Sequence, residues 1–123
     1  MRQAIFLIPA LVFVACASNA PSQERRRFDD LPIPEGLTYE RWSGNVSPSG
    51  LRVGTQEHAG RRGVKDVAKF YRETLPAHGW QLAADEPGDP AKLSFVKKEE
   101  KCDVLVAGTT DGVKVTVKLD YKK

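Results

Sequence analysis

The last stretch of the chain alternates strictly: Val113, Val115, Val117, Leu119 and Tyr121 are interleaved with Lys114, Thr116, Lys118, Asp120 and Lys122. A period of two sends successive side chains to opposite faces, so this segment is expected to be a strand with one apolar and one wet face. Residues 64–79, "VKDVAKFYRETLPAHG", follow a different period. Val64, Val67, Ala68, Tyr71 and Leu75 recur at spacings of three and four, with Lys65, Lys69, Arg72 and Glu73 elsewhere, which predicts an amphipathic helix lying on a core. Gly63 suits its N-cap, Asp66 the third helical position, where a carboxylate meets the positive helix end, and Gly79 a left-handed C-cap. Pro76 lacks an amide donor and crowds the preceding turn, so it should tighten or bend the last turn rather than abolish the helix.

Weaker alternation predicts five more strands. Residues 37–43 carry Tyr39 and Trp42 as heavy side chains, and residues 51–58, with Leu51, Val53 and Thr55 on one side, pair with them. Residues 80–84, 93–97 and 102–107 complete the set. "NVSPSG" and "DEPGDP" read as loops, "KKEEK" as a hairpin turn, and the Asp111-Gly112 step as a second hairpin. Pro32 and Pro34 in "LPIPEG" impose an extended lead-in. The order is therefore ββαββββ. The fold class is α+β, an antiparallel sheet with one amphipathic helix packed on one face. The 93 residues from 31 to 123 suffice for one modest core but not for a deep enclosed cavity as well, and no cofactor is expected.

The other end of the chain has neither period. After Arg2, residues 4–15 form a twelve-residue apolar run broken only by Pro9, and Ala15, Ala17 and Ser18 then surround Cys16. These are the three regions of a secretory signal, and the run is too short for the ~20 residues of a membrane span. "FVAC" resembles the lipobox of bacterial lipoproteins, with Phe13 in place of the usual leucine and Val14 in place of the usual small residue. The resemblance implies a diacylglyceryl group on the Cys16 sulfur, cleavage just before it, and acylation, as with palmitate, of the new amino terminus. Ala17 is similar to the outer-membrane default, since aspartate there signals inner-membrane retention. Two or three acyl chains hold a protein firmly where one holds it reversibly. In the alternative, Cys16 belongs to a leader cut at Ala17 or Ala20 and has no role.

The expected organisation is a signal peptide over residues 1–15, a lipidated cysteine and flexible tether over 16–30, and an α+β domain over 31–123. Residues 17–30 are small and polar without apolar periodicity, and as a coil they have an r.m.s. span of ~20 Å. Arg25, Arg26 and Arg27 suggest contact with anionic headgroups, but Glu24, Asp29 and Asp30 offset them, which favours a solvated linker.

A second resemblance rests on "LPIPEGLTYE", "VKDVAKFYRETLPAHGW" and the alternating last strand. Together they resemble a recurrent small bacterial envelope module with a Leu-Pro-x-Pro lead-in, a helix bearing Phe-Tyr and a Leu-Pro-x-x-Gly-Trp exit. The likeness spans most of residues 31–121. It implies a fold and carries over no catalytic residue.

Candidate chemistry is sparse. The two histidines, His58 at a strand end and His78 beside the helix cap, lie in no HExxH or Cys/His spacing and read as surface or cap residues. Cys102 alternates with Val104 and Val106, which favours a small core residue over a nucleophile; a Cys16–Cys102 disulfide would require an unacylated Cys16. Asp85, Glu86 and Asp89 lack the ligand register of a calcium loop, so no metal is expected. From residue 31 onward there are fifteen Lys and Arg against thirteen Asp and Glu, a scattered net of +2, so no nucleic acid is expected either.

Most of the aromatic residues should be core. Trp42, beside Arg41 and ahead of a Ser/Gly/Pro loop, is the exception, and the two form the candidate partner contact. The expected protein is a non-enzymatic, lipid-anchored component of the bacterial cell envelope, on the outer membrane facing the periplasm, that presents its domain to another envelope protein. The alternative is a small-ligand or lipid binder using the groove between helix and sheet.

Overall fold

Residues 28–122 are described by the structure, a computed structural model; the leader, Cys16 and the rest of the tether lie outside the described residues. The strands are β1 (Leu37–Val46), β2 (Arg52–Gly60), β3 (Gln81–Glu86), β4 (Ala91–Lys97), β5 (Glu100–Gly108) and β6 (Val113–Tyr121). They form one antiparallel sheet in the order β1-β2-β6-β5-β4-β3. Among the described residues a single α-helix, α1 (Val64–Thr74), connects β2 to the opposite edge of the sheet. The ββαββββ order and the α+β class expected from the sequence are those of the structure.

The helix ends as its sequence dictates. Gly63 is an extended N-cap whose carbonyl accepts the first turn's bond from the Val67 amide at 3.1 Å. From Leu75 to His78 the chain tightens into a 3-10 turn with Pro76 near its start, because proline cannot supply the next α-helical hydrogen bond. Gly79 closes the turn at φ 94°, a conformation open to a residue without Cβ. Val67, Ala68, Tyr71 and Leu75 are buried against the sheet.

β6 lies between β2 and β5, and its alternation supplies the core face. Register places Val106–Val115, Val104–Val117 and Cys102–Leu119 side by side, with Leu93 and Phe95 of β4 continuing the rows; all are buried. Trp80, in the turn after the helix, is 2% exposed.

The structure differs from the sequence reading at β2. Gly54, Gln56, His58 and Gly60 pair with Leu119, Val117, Val115 and Val113, so the even-numbered positions of β2 face the core. Leu51, Val53 and Thr55 lie on the opposite, half-buried side. His58 is therefore a core residue, 1% exposed, rather than a surface one; His78 is half-buried at the end of the 3-10 turn. The valines of β6 set this parity, since a one-residue slip would have turned their whole face outward.

Candidate functional site

Two lone glycines and a bulge position Trp42. An irregularity between Tyr39 and Arg41 inserts one extra residue into β1, so that Tyr39 and Trp42 share the core face, opposite His58 and Gln56. Gly44 and Gly54 are paired across the two strands, and the Trp42 indole occupies the space their missing side chains leave. Phe28 meets Trp42 edge-on, ring centroids 5.1 Å apart. Arg41 is exposed and pairs with Glu57 on the other side of the sheet. The two residues of the candidate partner contact thus point to opposite faces.

Residues 28–30, assigned to the tether from sequence, are engaged with the sheet. Asp30 accepts two bonds from the Arg52 guanidinium, at 2.8 and 3.0 Å, and one from Lys97 Nζ at 2.8 Å. Arg52 also donates Nε and Nη2 to Glu100, at 2.9 and 2.5 Å, and its backbone amide bonds the same carboxylate at 3.1 Å. The indole of Trp80 donates to the Asp30 backbone carbonyl at 3.0 Å. Phe28 lies on the Arg52 guanidinium, 4.8 Å from ring centroid to Cζ, and Lys97 Nζ sits 5.0 Å from the Trp80 ring. Arg52, Glu100, Asp30 and Lys97 come from β2, β5, the lead-in and β4, brought together at the end of the sheet where residue 28 enters.

Electrostatics keep Asp30 and Arg52 charged. Burial alone raises the Asp30 carboxyl, but the hydrogen bonds and positive charges of Arg52 and Lys97 more than reverse that and hold it below the usual carboxylate range. Burial acts against the Arg52 cation, and its bonds to Glu100 and Asp30 override it, so its pKa is raised. Asp30 and Glu100 are occupied as hydrogen-bond acceptors, which suits a fastening better than proton transfer.

A second polar group is buried under the helix side of the sheet. Gln56 Nε2 is 3.4 Å from His58 Nε2, while Gln56 Oε1, His58 Nδ1 and the Tyr71 hydroxyl have no hydrogen-bond partner among the described residues. Desolvation pushes the His58 pKa down to about 4 and raises that of Tyr71. Burial also raises the Cys102 thiol. Cys102 lies opposite Leu119, which lies opposite Gly54, so His58 is four residues further along, ~13 Å at strand rise. No thiolate–imidazole pair can form at that separation.

The acidic loop residues are separated by their bonds. Asp85 pairs with Arg72 at 2.6 Å, which lowers its pKa, and Asp89 accepts the Gly108 amide at 3.0 Å. Among the described residues no group of three or more His, Cys, Asp and Glu could hold a metal ion, and no helix is long and apolar enough to cross a membrane. Beside the helix, Lys65, Ala68, Lys69, Arg72, Gly88 and Ala91 line a groove of about 300 Å³.

Fold and site together define an α+β protein with one helix-covered sheet and a charged fastening at one end. No family model, curated protein or solved structure matches the chain.

Proposed function

We propose that this chain is a lipid-anchored component of the bacterial cell envelope, acylated at Cys16, that performs no chemistry and presents its α+β domain to another envelope protein. The observation that carries this reading is the Ala15-Cys16 junction at the end of a twelve-residue apolar run, with only eleven residues between Cys16 and the anchored Phe28. Ala17 favours the outer membrane, facing the periplasm. The separation of Cys102 from His58 and the occupied state of Asp30 and Glu100 support a non-enzymatic role. A protein partner would meet Arg41 on the uncovered face of the sheet, with Trp42 reserved for the fold's interior.

The test is the intact mass of the protein from the membrane fraction, for wild type and Cys16→Ser. A wild-type chain that begins at Cys16 with the added mass of acyl chains, and a variant that leaves the membrane, are the expected results. A mature chain that begins elsewhere without lipid overturns the anchor. For the partner, capture from membranes should recover the same protein repeatedly with wild type and lose it with Arg41→Glu.

A specific feature favours a second reading, a small-ligand or lipid binder. The groove beside the helix has an apolar floor of Ala68 and Ala91 and a cationic rim of Lys65, Lys69 and Arg72, a combination suited to an anionic amphiphile. Native mass spectrometry that finds a co-purified lipid, together with a raised Tm on adding it back, would favour this reading over the first.

A further inference from the structure

β1 is an edge strand. It pairs with β2 on one side and with no strand on the other among the described residues, so its ten residues hold a row of backbone amides and carbonyls outward. Glu40 and Arg41, at its middle, are its only charged residues. Both are exposed, and neither forms an ion pair among the described residues.

The bulge determines what this edge can accept. In a regular strand the faces alternate, so a strand turned around against its own copy keeps its faces matched only if the axis falls on a residue, which then meets itself. The residue inserted between Tyr39 and Arg41 lifts that restriction. Tyr39 and Trp42 share the core face, and Thr38 and Ser43 share the other. A two-fold axis between Glu40 and Arg41 therefore sets Thr38 opposite Ser43, Tyr39 opposite Trp42 and Glu40 opposite Arg41 of the copy, with every face matched and every charge opposed by its opposite. A regular strand laid along β1 falls out of step at the inserted residue, whereas a second β1 carries the same insertion at the matching place.

The other edge of the sheet lacks this self-complementarity. β3 is also irregular, between Leu82 and Ala84, and is exposed along its length. Its only charges are Asp85 and Glu86. The corresponding register sets Leu82 against Asp85 and Gln81 against Glu86, and Asp85 is already held by Arg72.

We infer that two copies of the chain pair along β1, antiparallel about a two-fold axis between Glu40 and Arg41, with Glu40 of each copy against Arg41 of the other. This names the protein partner of the reading above as a second copy, and it rests on that reading for the use of Arg41 and not for the lipid. The contact closes on itself, since each copy has one such edge, and it joins the two sheets into one.

The test is sedimentation equilibrium of the mature protein as purified, for wild type, Glu40→Arg, Arg41→Glu and the double variant. Wild type should pass from monomer to dimer as its concentration rises, with no larger species. Each single variant sets like charges opposite one another twice and should weaken the dimer roughly tenfold or more, while the double variant rebuilds both pairs and should return to within roughly threefold of wild type. A pair of residues that served only its own chain's fold would give no such rescue. The register is read by mild oxidation of a chain carrying both Thr38→Cys and Ser43→Cys. It should form a disulfide-linked dimer in far higher yield than either single cysteine variant, the native Cys102 being buried.

A wild type that stays monomeric up to about 100 µM overturns the inference. If membrane capture still depends on Arg41 in that case, a different protein is the partner and only the second copy is rejected. A dimer that the single charge variants leave unchanged, or that the double variant does not restore, overturns it as well. So does cross-linking by Thr38→Cys alone, which requires another register, and so does growth into open chains, which requires a head-to-tail contact.

Discussion

Asp30 and Arg52 meet as a two-point fork, Nη1 to Oδ1 at 2.8 Å and Nη2 to Oδ2 at 3.0 Å, with their side chains 23% and 10% exposed. The same guanidinium forks to Glu100 on its other side. Arg52 is thus shared between a carboxylate of the lead-in and one of the sheet.

Removing either partner should have unequal effects. Arg52→Ala strands two carboxylates at a mostly buried position and should cost ~3–5 kcal/mol. Asp30→Ala leaves Arg52 with Glu100, so the expected loss is ~1–3 kcal/mol. Urea denaturation with an unchanged m-value would give this order; equal midpoints for the two variants would mean that the lead-in contributes as much as the sheet itself.

His58 supplies a pH dependence with a defined sign. The folded protein holds the ring neutral down to about pH 4, whereas the unfolded chain takes a proton near 6.5. Between these values the unfolded state binds more protons, so stability falls as pH falls through the window and this contribution levels off below it. The full effect is on the order of 3 kcal/mol. Urea midpoints at pH 7 and pH 4.5 should differ for wild type and differ much less for His58→Leu. Asp30, held below the usual carboxylate range, adds its own loss only in stronger acid.

Gly54 has no room for a methyl group. A Cβ there would run into the backbone of Ser43 and Gly44 and the Trp42 indole, and the backbone cannot move aside without opening the β1–β2 pair. Gly54→Ala should cost ~1–3 kcal/mol and shift Trp42 emission. Gly50→Ala, which meets nothing within 4 Å but sits at φ 93°, should cost ~1 kcal/mol through backbone strain and leave the emission unchanged.

Cys102 should be unreactive while the protein is folded. Its side chain is 0% exposed and burial raises its thiol pKa, so little thiolate is present to attack a disulfide reagent. Labelling of Cys102, followed by mass spectrometry, should proceed only as fast as the protein opens. Rapid labelling at neutral pH without denaturant would contradict this placement.

The helix and β6 were legible in the sequence because each keeps a single period over nine or more residues, and because Gly63, Pro76 and Gly79 act locally through their own backbone chemistry. The face of β2 was not. Leu51, Val53 and Thr55 are apolar enough to suggest a core side, yet parity is settled by pairing with β6, an interaction sixty residues away in sequence. Gln56 and His58 then become core residues despite their polarity. The fastening was illegible for the same reason: Asp30, Arg52 and Glu100 are ordinary surface types in isolation. The one local clue lay in two glycines, Gly44 and Gly54, opposite each other on adjacent strands with a tryptophan two residues from one of them. Such a gap invites an aromatic ring to cover it.

The position of Asp30 also decides how the domain bears tension. If the chain is held at Cys16, a pull along the tether meets Phe28 against Trp42 and Arg52 and then the Asp30 carboxylate, where it divides between Arg52 on β2 and Lys97 on β4, with Glu100 linking β5 to the same guanidinium. The load is spread over three strand ends rather than peeling away one. A tug strong enough to strip the lead-in must break both contacts of the Asp30–Arg52 fork together, and until it does the sheet behind it stays intact.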